Sequence, residues 1–508
     1  MRGGRDHEPD EGSNGVGHGP RPAVQHPPTH RPVGQSPTDR RPHLPRPASV
    51  RGKDPRTAQF AAPSRFPTDP VAVFTGEAAI TEVLDVALRV GEVLLSSGAA
   101  TADVMTDIEA VTSAFGVARC QVDITYTAIA ISAHRGVSSP PVNTMRVVNS
   151  RSLDYTRLAE VDRVVRDAHA GTLTAHAAHR ELDRITTAPH PYRRWVATLA
   201  WSGMAASSAL LVGGGWLVCA VALVSAVVID RTKRALRGVG LPAFFQQVVG
   251  GVIATLPAAL LFAARGGLHL TVSPAQVAAA GVIVLLSGLS LVGGMQDAIS
   301  GAMVTATARL LDVVLQTAGI IVGVGVALKL ASGLGVVLPA LDASTTALSQ
   351  LPVQVIGAAG AGAFFAVACY AQRRAALVAA AAAASGFVIF GLLYHLAGDT
   401  LMASAAAATC VGLAGGVLSR RYRIPPLVIV VSGITPLLPG HAVYRGLFAM
   451  INSDPVIGLA EMSTALGTGA ALASGVVLGQ WIATALRTKL ANRVPRVLGL
   501  GPDPVGRR

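Results

Sequence analysis

The stretch WVATLAWSGMAASSALLVGGGWLVCAVALVSAVVID, Trp195–Asp230, reaches its last residue before it meets a charge. A membrane-crossing helix needs about 20 predominantly apolar residues, and this stretch is long enough to turn back after the glycines at Gly213–Gly215. The same texture continues to about Leu486, so 292 residues are almost continuously apolar. Over all 508 residues, 51% are hydrophobic and 14% charged, and the mean hydropathy is +0.49. Ordinary soluble domains carry about 25% charged residues, so a soluble enzyme is excluded. The net charge of +13 does not indicate nucleic acid, because the basic residues sit in the tails and between apolar runs rather than along one polar face. Cys120, Cys219, Cys369 and Cys410 show no CxxC spacing and no histidine cluster, so neither a zinc site nor a disulfide framework is expected, and no cofactor. The chain reads as an all-α polytopic membrane protein carrying a small α+β N-terminal domain.

Breaks at Gly213–Gly215, Asp230–Arg237, Arg265–Gly267, Gly293–Asp297, Lys329–Asp342, Gln372–Arg374, His395–Asp399, Ser419–Arg423 and Pro439–Arg445 divide the apolar region into ten spans. Lys and Arg are retained on the cytoplasmic side of a membrane. With the N-terminus inside, the inner connections hold Arg231, Lys233, Arg234, Arg237, Arg309, Arg373, Arg374, Arg420, Arg421 and Arg423; the outer ones hold only Arg265, Lys329 and Arg445. Both termini are therefore expected in the cytoplasm of a multi-pass plasma-membrane protein.

Residues 1–70 are rich in Pro, Arg, His and Gly with almost no apolar clusters, the composition of a disordered, solvated tail. Residues 76–190 read as a cytoplasmic α+β domain. Ile80, Leu84, Leu88 and Leu95, then Val104, Ile108, Val111 and Phe115, recur at helical spacing. SSGAAT between them ends one helix at Gly98 and offers Thr101 as the next cap. CQVDITY alternates as a strand does, with a phase slip near Thr127 that implies a bulge or bend; VNTMRVV is another strand, and two helices close the domain before Pro189-His190-Pro191. The remainder divides into 195–340, 350–486 and a basic tail over 487–508.

SGLSLVGGMQDAISG (Ser287–Gly301) and SGITPLLPGHAVYRG (Ser432–Gly446) resemble each other at a separation of 145 residues, in spans four and nine. A unit of five spans is odd, so its second copy enters from the opposite side, as in the inverted repeats of secondary transporters. Both segments are interrupted, one by Gly288, Gly293 and Gly294, the other by Thr435-Pro436, Pro439 and Gly440. Broken backbone is tolerated in hydrocarbon only where protein or a watery cavity receives it. These residues are therefore candidates for the substrate path, and close helix packing is the plainer alternative. Intramembrane acids usually mark a cavity, a partner or a proton step. Asp297, beside the broken span, and Glu461, early in span ten, are proton-coupling candidates. Arg309 and Asp312, three apart on one helix face, are weaker ones and serve equally as a surface ion pair.

The chain resembles the threonine/serine exporter family from about residue 80 to 486, through GEVLLSSGAATADV with Ser97-Gly98-Ala99, and through PPLVIVVSGITPLLPGHAVYRG with Pro436–Gly440, Tyr444 and Gly446. The resemblance implies export of L-threonine and L-serine driven by the proton motive force, with the bilayer, protons and a small amino acid as partners; a homo-oligomer is left open. LVGGM in the first segment departs from the PLLPG pattern of the second. The rival readings are an exporter of another small metabolite, such as a dicarboxylate, and a membrane-anchored hydrolase using Asp123, His134 and Ser138 or Ser139. No GxSxG or HExxH spacing supports the hydrolase, and no catalytic residue is assigned.

Overall fold

The computed structural model describes residues 77–117, 119–134, 140–148, 153–268, 274–286, 288–333, 335, 350–451 and 454–497. The tail over 1–70, Ser138, Ser139, Ser287, Asp342 and the end of the basic tail lie outside the described residues.

The N-terminal region follows the order that the periodicity predicts: α1 (Glu77–Ser96), α2 (Thr101–Ala114), β1 (Cys120–Thr125), β2 (Ala128–Ala133), β3 (Val142–Val147), α3 (Tyr155–His169) and α4 (Ala175–Thr187). The strands form an antiparallel sheet in chain order. The phase slip at Thr127 is a hairpin rather than a bulge. Tyr126 takes the left-handed conformation (φ 52) in a two-residue turn, and Thr125 pairs with Ala128. Asp154 caps α3 by accepting from the N–H groups of Thr156 and Arg157. This region shares one apolar core with the helices that follow. Tyr155 lies edge-on to Phe365, its N–H donates to the Cys369 carbonyl at 2.8 Å, and His190 stacks on Tyr370.

The apolar region folds as α5 (Arg194–Leu211), α6 (Trp216–Gly238), α7 (Ala243–Leu268), α8 (Pro274–Leu285), α9 (Gly288–Ile299), α10 (Met303–Gly333), α11 (Leu351–Ala368), α12 (Arg373–Ala397), α13 (Thr400–Tyr422), α14 (Pro426–Ile434), α15 (Gly440–Ile451) and α16 (Pro455–Val497). Among the described residues six helices, α7, α10, α11, α12, α13 and α16, are long and apolar enough to cross a membrane. Counting each bent pair, α8–α9 at 48° and α14–α15 at 43°, as one span raises the number to eight. The protein is a multi-pass membrane protein, but the expected ten is not reached on this criterion. The shortfall lies in α5 and α6. In α6 the charges at Asp230, Arg231, Lys233, Arg234 and Arg237 leave only 216–229 apolar, about 21 Å at 1.5 Å per residue, against a hydrocarbon core of about 30 Å.

Two expected breaks are displaced. The chain bends before Gly288, and Gly293 and Gly294 continue α9; a Cβ on either would press on the Arg309 or Leu310 side chain of α10. These glycines serve close packing and do not interrupt the helix. In the second segment the interruption is a short 3-10 turn, Thr435–Leu437, with Leu438 and Pro439 before α15, so Arg445 belongs to a helix rather than to an outer loop.

Helix packing recurs between the two halves. α5–α6, α6–α7, α7–α8, α7–α10 and α9–α10 are matched by α11–α12, α12–α13, α13–α14, α13–α16 and α15–α16. The contact points recur too. A Cβ on Gly319 or Gly323 of α10 would strike the Phe244 or Val248 carbonyl of α7, and one on Gly475 or Gly479 of α16 would strike the Ala405 or Thr409 carbonyl of α13. In return, Gly251 lies on the Ile320 carbonyl and Gly412 on the Val476 carbonyl. Helix starts pair as Pro274 with Pro426, Gly288 with Gly440 and Met303 with Pro455, a separation of 152 rather than 145 residues.

Candidate functional site

The two bent pairs meet at a cavity of about 590 Å³, within the range of about 300–1,000 Å³ usual for small-molecule sites. Its wall includes the first turn of α9 (Gly288–Leu291), the turn Thr435–Pro439 and the first turn of α15 (Gly440–Val443). The N–H groups of a helix's first turn have no intrahelical acceptor. Each bend thus turns toward the cavity the positive dipole end that receives an anionic group; in α15 the Gly440 and Val443 N–H groups already donate to the Leu438 and Pro439 carbonyls. Of the sequence candidates, Gly288, Thr435, Pro436, Pro439 and Gly440 line the cavity; Gly293 and Gly294 do not.

Charge reaches this wall from α15. Arg445, which the charge pattern places in an outer connection, instead lines the cavity and donates through Nη2 to Glu461 Oε1 of α16 at 2.7 Å. Arg445 Nε and His441 Nε2 are buried without a hydrogen-bond partner among the described residues. Thr464 and Thr468, one and two turns beyond Glu461, continue the polar face of α16 along the wall. In Ser404 of α13 a nearly fully buried hydroxyl also lacks a partner among the described residues. The aromatic side is made by Trp201, Phe365, Phe387, Phe390 and Tyr394.

A polar chain crosses the first-half wall. Lys233 Nζ donates to Gln247 Oε1 at 3.2 Å, Gln247 Nε2 to Gln316 Oε1 at 3.0 Å, and Gln316 Nε2 to Asp312 Oδ2 at 2.7 Å. Asp312 thus ends a chain of amides that begins at a cavity-lining lysine.

Asp297 and Arg309 form a buried junction with the α+β region instead. Asp297 is fully buried and Arg309 is 4% exposed, with Arg309 Nη1 3.0 Å from Asp297 Oδ2. Asp297 Oδ1 accepts from the Thr101 N–H at 2.8 Å, and Arg309 Nη2 donates to the Ala99 carbonyl at 3.2 Å. The expected cap at Thr101 is therefore supplied from α9, because Ala100, the residue at the cap position, has no side-chain acceptor. Gly98 at φ +88 turns the chain so that this loop can descend onto the pair. One turn before Arg309 on α10, Thr305 Oγ1 accepts from the Tyr126 N–H at 3.0 Å.

Beside this junction α2 carries Asp103 and Asp107, and α3 carries Asp162. Burial, followed by the charge of Asp297, raises the Asp103 carboxyl above its ordinary range. Asp107 is pushed up to about 7, first by burial and then by the charges of Asp103 and Asp162. His134 and Asp123 occupy exposed positions on the sheet region.

Long apolar helices enclosing a cavity where two spans are broken define a multi-pass membrane transport protein. Two family models, both described as threonine/serine exporter, match residues 85–331 and, under the name ThrE, residues 354–482. The chain belongs to the threonine/serine exporter family. It is 41% identical over 443 residues to the threonine/serine exporter of Corynebacterium glutamicum, covering 87% of this chain and 90% of that one. It is also 41% identical over 413 residues to the probable threonine/serine exporter of Mycobacterium tuberculosis, covering 80% and 77% respectively. No solved structure matches.

Proposed function

We propose that this protein exports L-threonine and L-serine across the plasma membrane as a secondary transporter driven by the proton motive force. The carrying observation is the convergence of the first turns of α9 and α15 on one cavity. Those turns supply donors for a substrate carboxylate, and the two relatives are named a threonine/serine exporter and a probable threonine/serine exporter.

In this reading α5 and α6 are short spans, each bent pair is one span, and ten spans form two units of five. The recurring glycine contacts support that division. So does the α5–α11 crossing, where Gly203 meets Phe364 and Gly360 meets Ser207. As one helix ascends the other descends, as first helices of inverted units must. The α+β region packs on the connections near Asp297–Thr305 and Cys369–Tyr370. Arg373, Arg374, Arg420, Arg421 and Arg423 belong to the same set of connections in this topology, which favours a cytoplasmic α+β region and cytoplasmic termini. A dicarboxylate needs adjacent unneutralised cations, whereas Arg445 already carries Glu461.

Purified protein in liposomes with an acidic lumen tests the proposal. Labelled L-threonine should accumulate, be displaced by L-serine and not by succinate, and fail to accumulate after a protonophore. Accumulation indifferent to the pH gradient, or competition by succinate, would overturn it.

A further inference from the structure

We propose that Arg445 and Glu461 form a single dyad occupied either by the amino-acid zwitterion or by a proton, and that this exclusive occupancy couples export to proton entry. The proposal rests on the reading of the cavity as the substrate site.

An α-amino acid carries a carboxylate and an ammonium one carbon apart, so its site needs both signs side by side. Arg445 on the cavity wall, with its partner Glu461 directly behind it, meets that requirement; their side chains are 30% and 19% exposed. Arg445 has Nε–H to spare, and a guanidinium receives a carboxylate best through two parallel N–H groups. The other cavity cation, Lys233, donates to Gln247, and its neighbouring carboxylate on α6, Asp230, is already paired with Arg234.

Arg309 is the seventh residue of α10 and Glu461 the seventh of α16, and each pairs with the half-helix before it: Asp297 of α9 and Arg445 of α15. The two pairs have opposite polarity and different surroundings. Asp297–Arg309 is covered by the α2 loop, and neither residue lines the cavity. The first pair is a structural joint; of the second, Arg445 lines the cavity and both side chains keep some exposure.

On the elements packed around Glu461, α15 brings Arg445, His441 and Tyr444; Asp454 precedes α16, where it accepts from the Ile457 N–H; Asp399 caps α13, which carries Cys410 in its middle and Arg420, Arg421 and Tyr422 at its opposite end, as α16 carries Arg487; and Asp297 of α9 is held by Arg309.

With the cavity empty, the dyad ties α15 to α16. A zwitterion replaces that tie: its carboxylate takes the Arg445 guanidinium and its ammonium takes the Glu461 carboxylate. After the amino acid leaves on the outer side, a proton from that side forms an O–H bond on Glu461. The neutral acid no longer holds Arg445 or attracts an ammonium. On the inner side the O–H bond breaks, the proton passes to water and the carboxylate is restored. One proton enters for each zwitterion that leaves, moving one positive charge inward per cycle.

The test compares wild type, Glu461→Gln, Glu461→Asp and Ser290→Trp. Labelled threonine binding is measured on purified protein from pH 5 to 8, and accumulation is measured in liposomes with an acidic lumen. Wild-type affinity should fall toward acid pH. Glu461→Gln, which mimics the protonated acid, should bind threonine weakly at every pH with no pH slope, and fail to accumulate it. Glu461→Asp, which keeps the acid, should retain the slope and so separates loss of titration from loss of folding. A wild-type slope and accumulation in Glu461→Gln, or no slope in Glu461→Asp, would overturn the dyad while leaving the cavity reading standing. Ser290→Trp fills the cavity from α9 and leaves both charged residues in the chain; normal threonine binding by that variant would overturn the cavity reading and the proposal with it.

Discussion

Removing the Asp297 carboxylate should loosen the start of α2, which lies 196 residues away in sequence. Asp297 is fully buried against a 4% exposed Arg309, and its other oxygen holds the Thr101 N–H. Breaking one side of a buried ion pair costs about 3–5 kcal/mol, and an orphaned buried N–H adds about 1–3 kcal/mol. Asp297→Ala incurs both, so the junction should lose roughly 4 kcal/mol or more. At about 1.4 kcal/mol per factor of ten, local opening should rise by about three orders of magnitude, up to the limit set by global unfolding. Asp297→Asn still accepts from Thr101 but leaves Arg309 uncompensated, so it should fall between. Asp297→Asn combined with Arg309→Gln removes the stranded charge and should recover most of the loss. Hydrogen–deuterium exchange of a peptide covering Ala99–Thr106 measures this, with the Thr174-capped start of α4 as the control. Unchanged exchange at Ala99–Thr106 in Asp297→Ala would refute the reasoning. Equal acceleration at α4 would mean that the substitution unfolds the whole region.

The two glycine ridges should fail alike. Gly323→Leu and Gly479→Leu each drive a side chain into a carbonyl of the neighbouring helix and should lower the melting temperature in detergent, whereas Gly325→Leu, where a Cβ meets open space, should not. A second expectation concerns pH. Because the Asp107 carboxyl is raised to about 7 in the folded protein, the folded state binds more protons than the unfolded chain between about pH 4 and 7. Its contribution is therefore present at acid pH and lost as the pH rises through 7; Asp107→Asn should flatten that part of the melting-temperature profile between pH 5 and 8.

Much of the helical order was legible because it depends on local patterning. The buried faces of α1 and α2 follow directly from Ile80 to Leu95 and Val104 to Phe115. The proline-marked break before α15 likewise shows in Pro436 and Pro439. What escaped depends on contacts distant in sequence. Nothing near Thr101 reveals that Asp297 caps it. Gly293-Gly294 looks like a helix breaker until Arg309 and Leu310 are seen against it. Arg309 and Asp312 share a face by spacing, yet Arg309 bonds Asp297 and Ala99, and Asp312 accepts from Gln316. The 145-residue match aligned Gly288 with Gly433, whereas helix starts align it with Gly440, because glycines in an apolar chain offer several registers and only the bend selects one. Arg445 was misplaced for the same reason: the helix begins at Gly440, before it.

The central claim is that threonine occupies the cavity between the bent pairs. Its most direct measurement is the maleimide labelling rate of Thr435→Cys, in a background where Cys120, Cys219, Cys369 and Cys410 are replaced. Thr435 lines the cavity at the interruption before α15. L-threonine and L-serine should slow labelling in a saturable way, with half-protection at the concentration that half-saturates transport, and succinate should not. Labelling that proceeds at the same rate under saturating threonine, in protein that still transports it, would contradict the account.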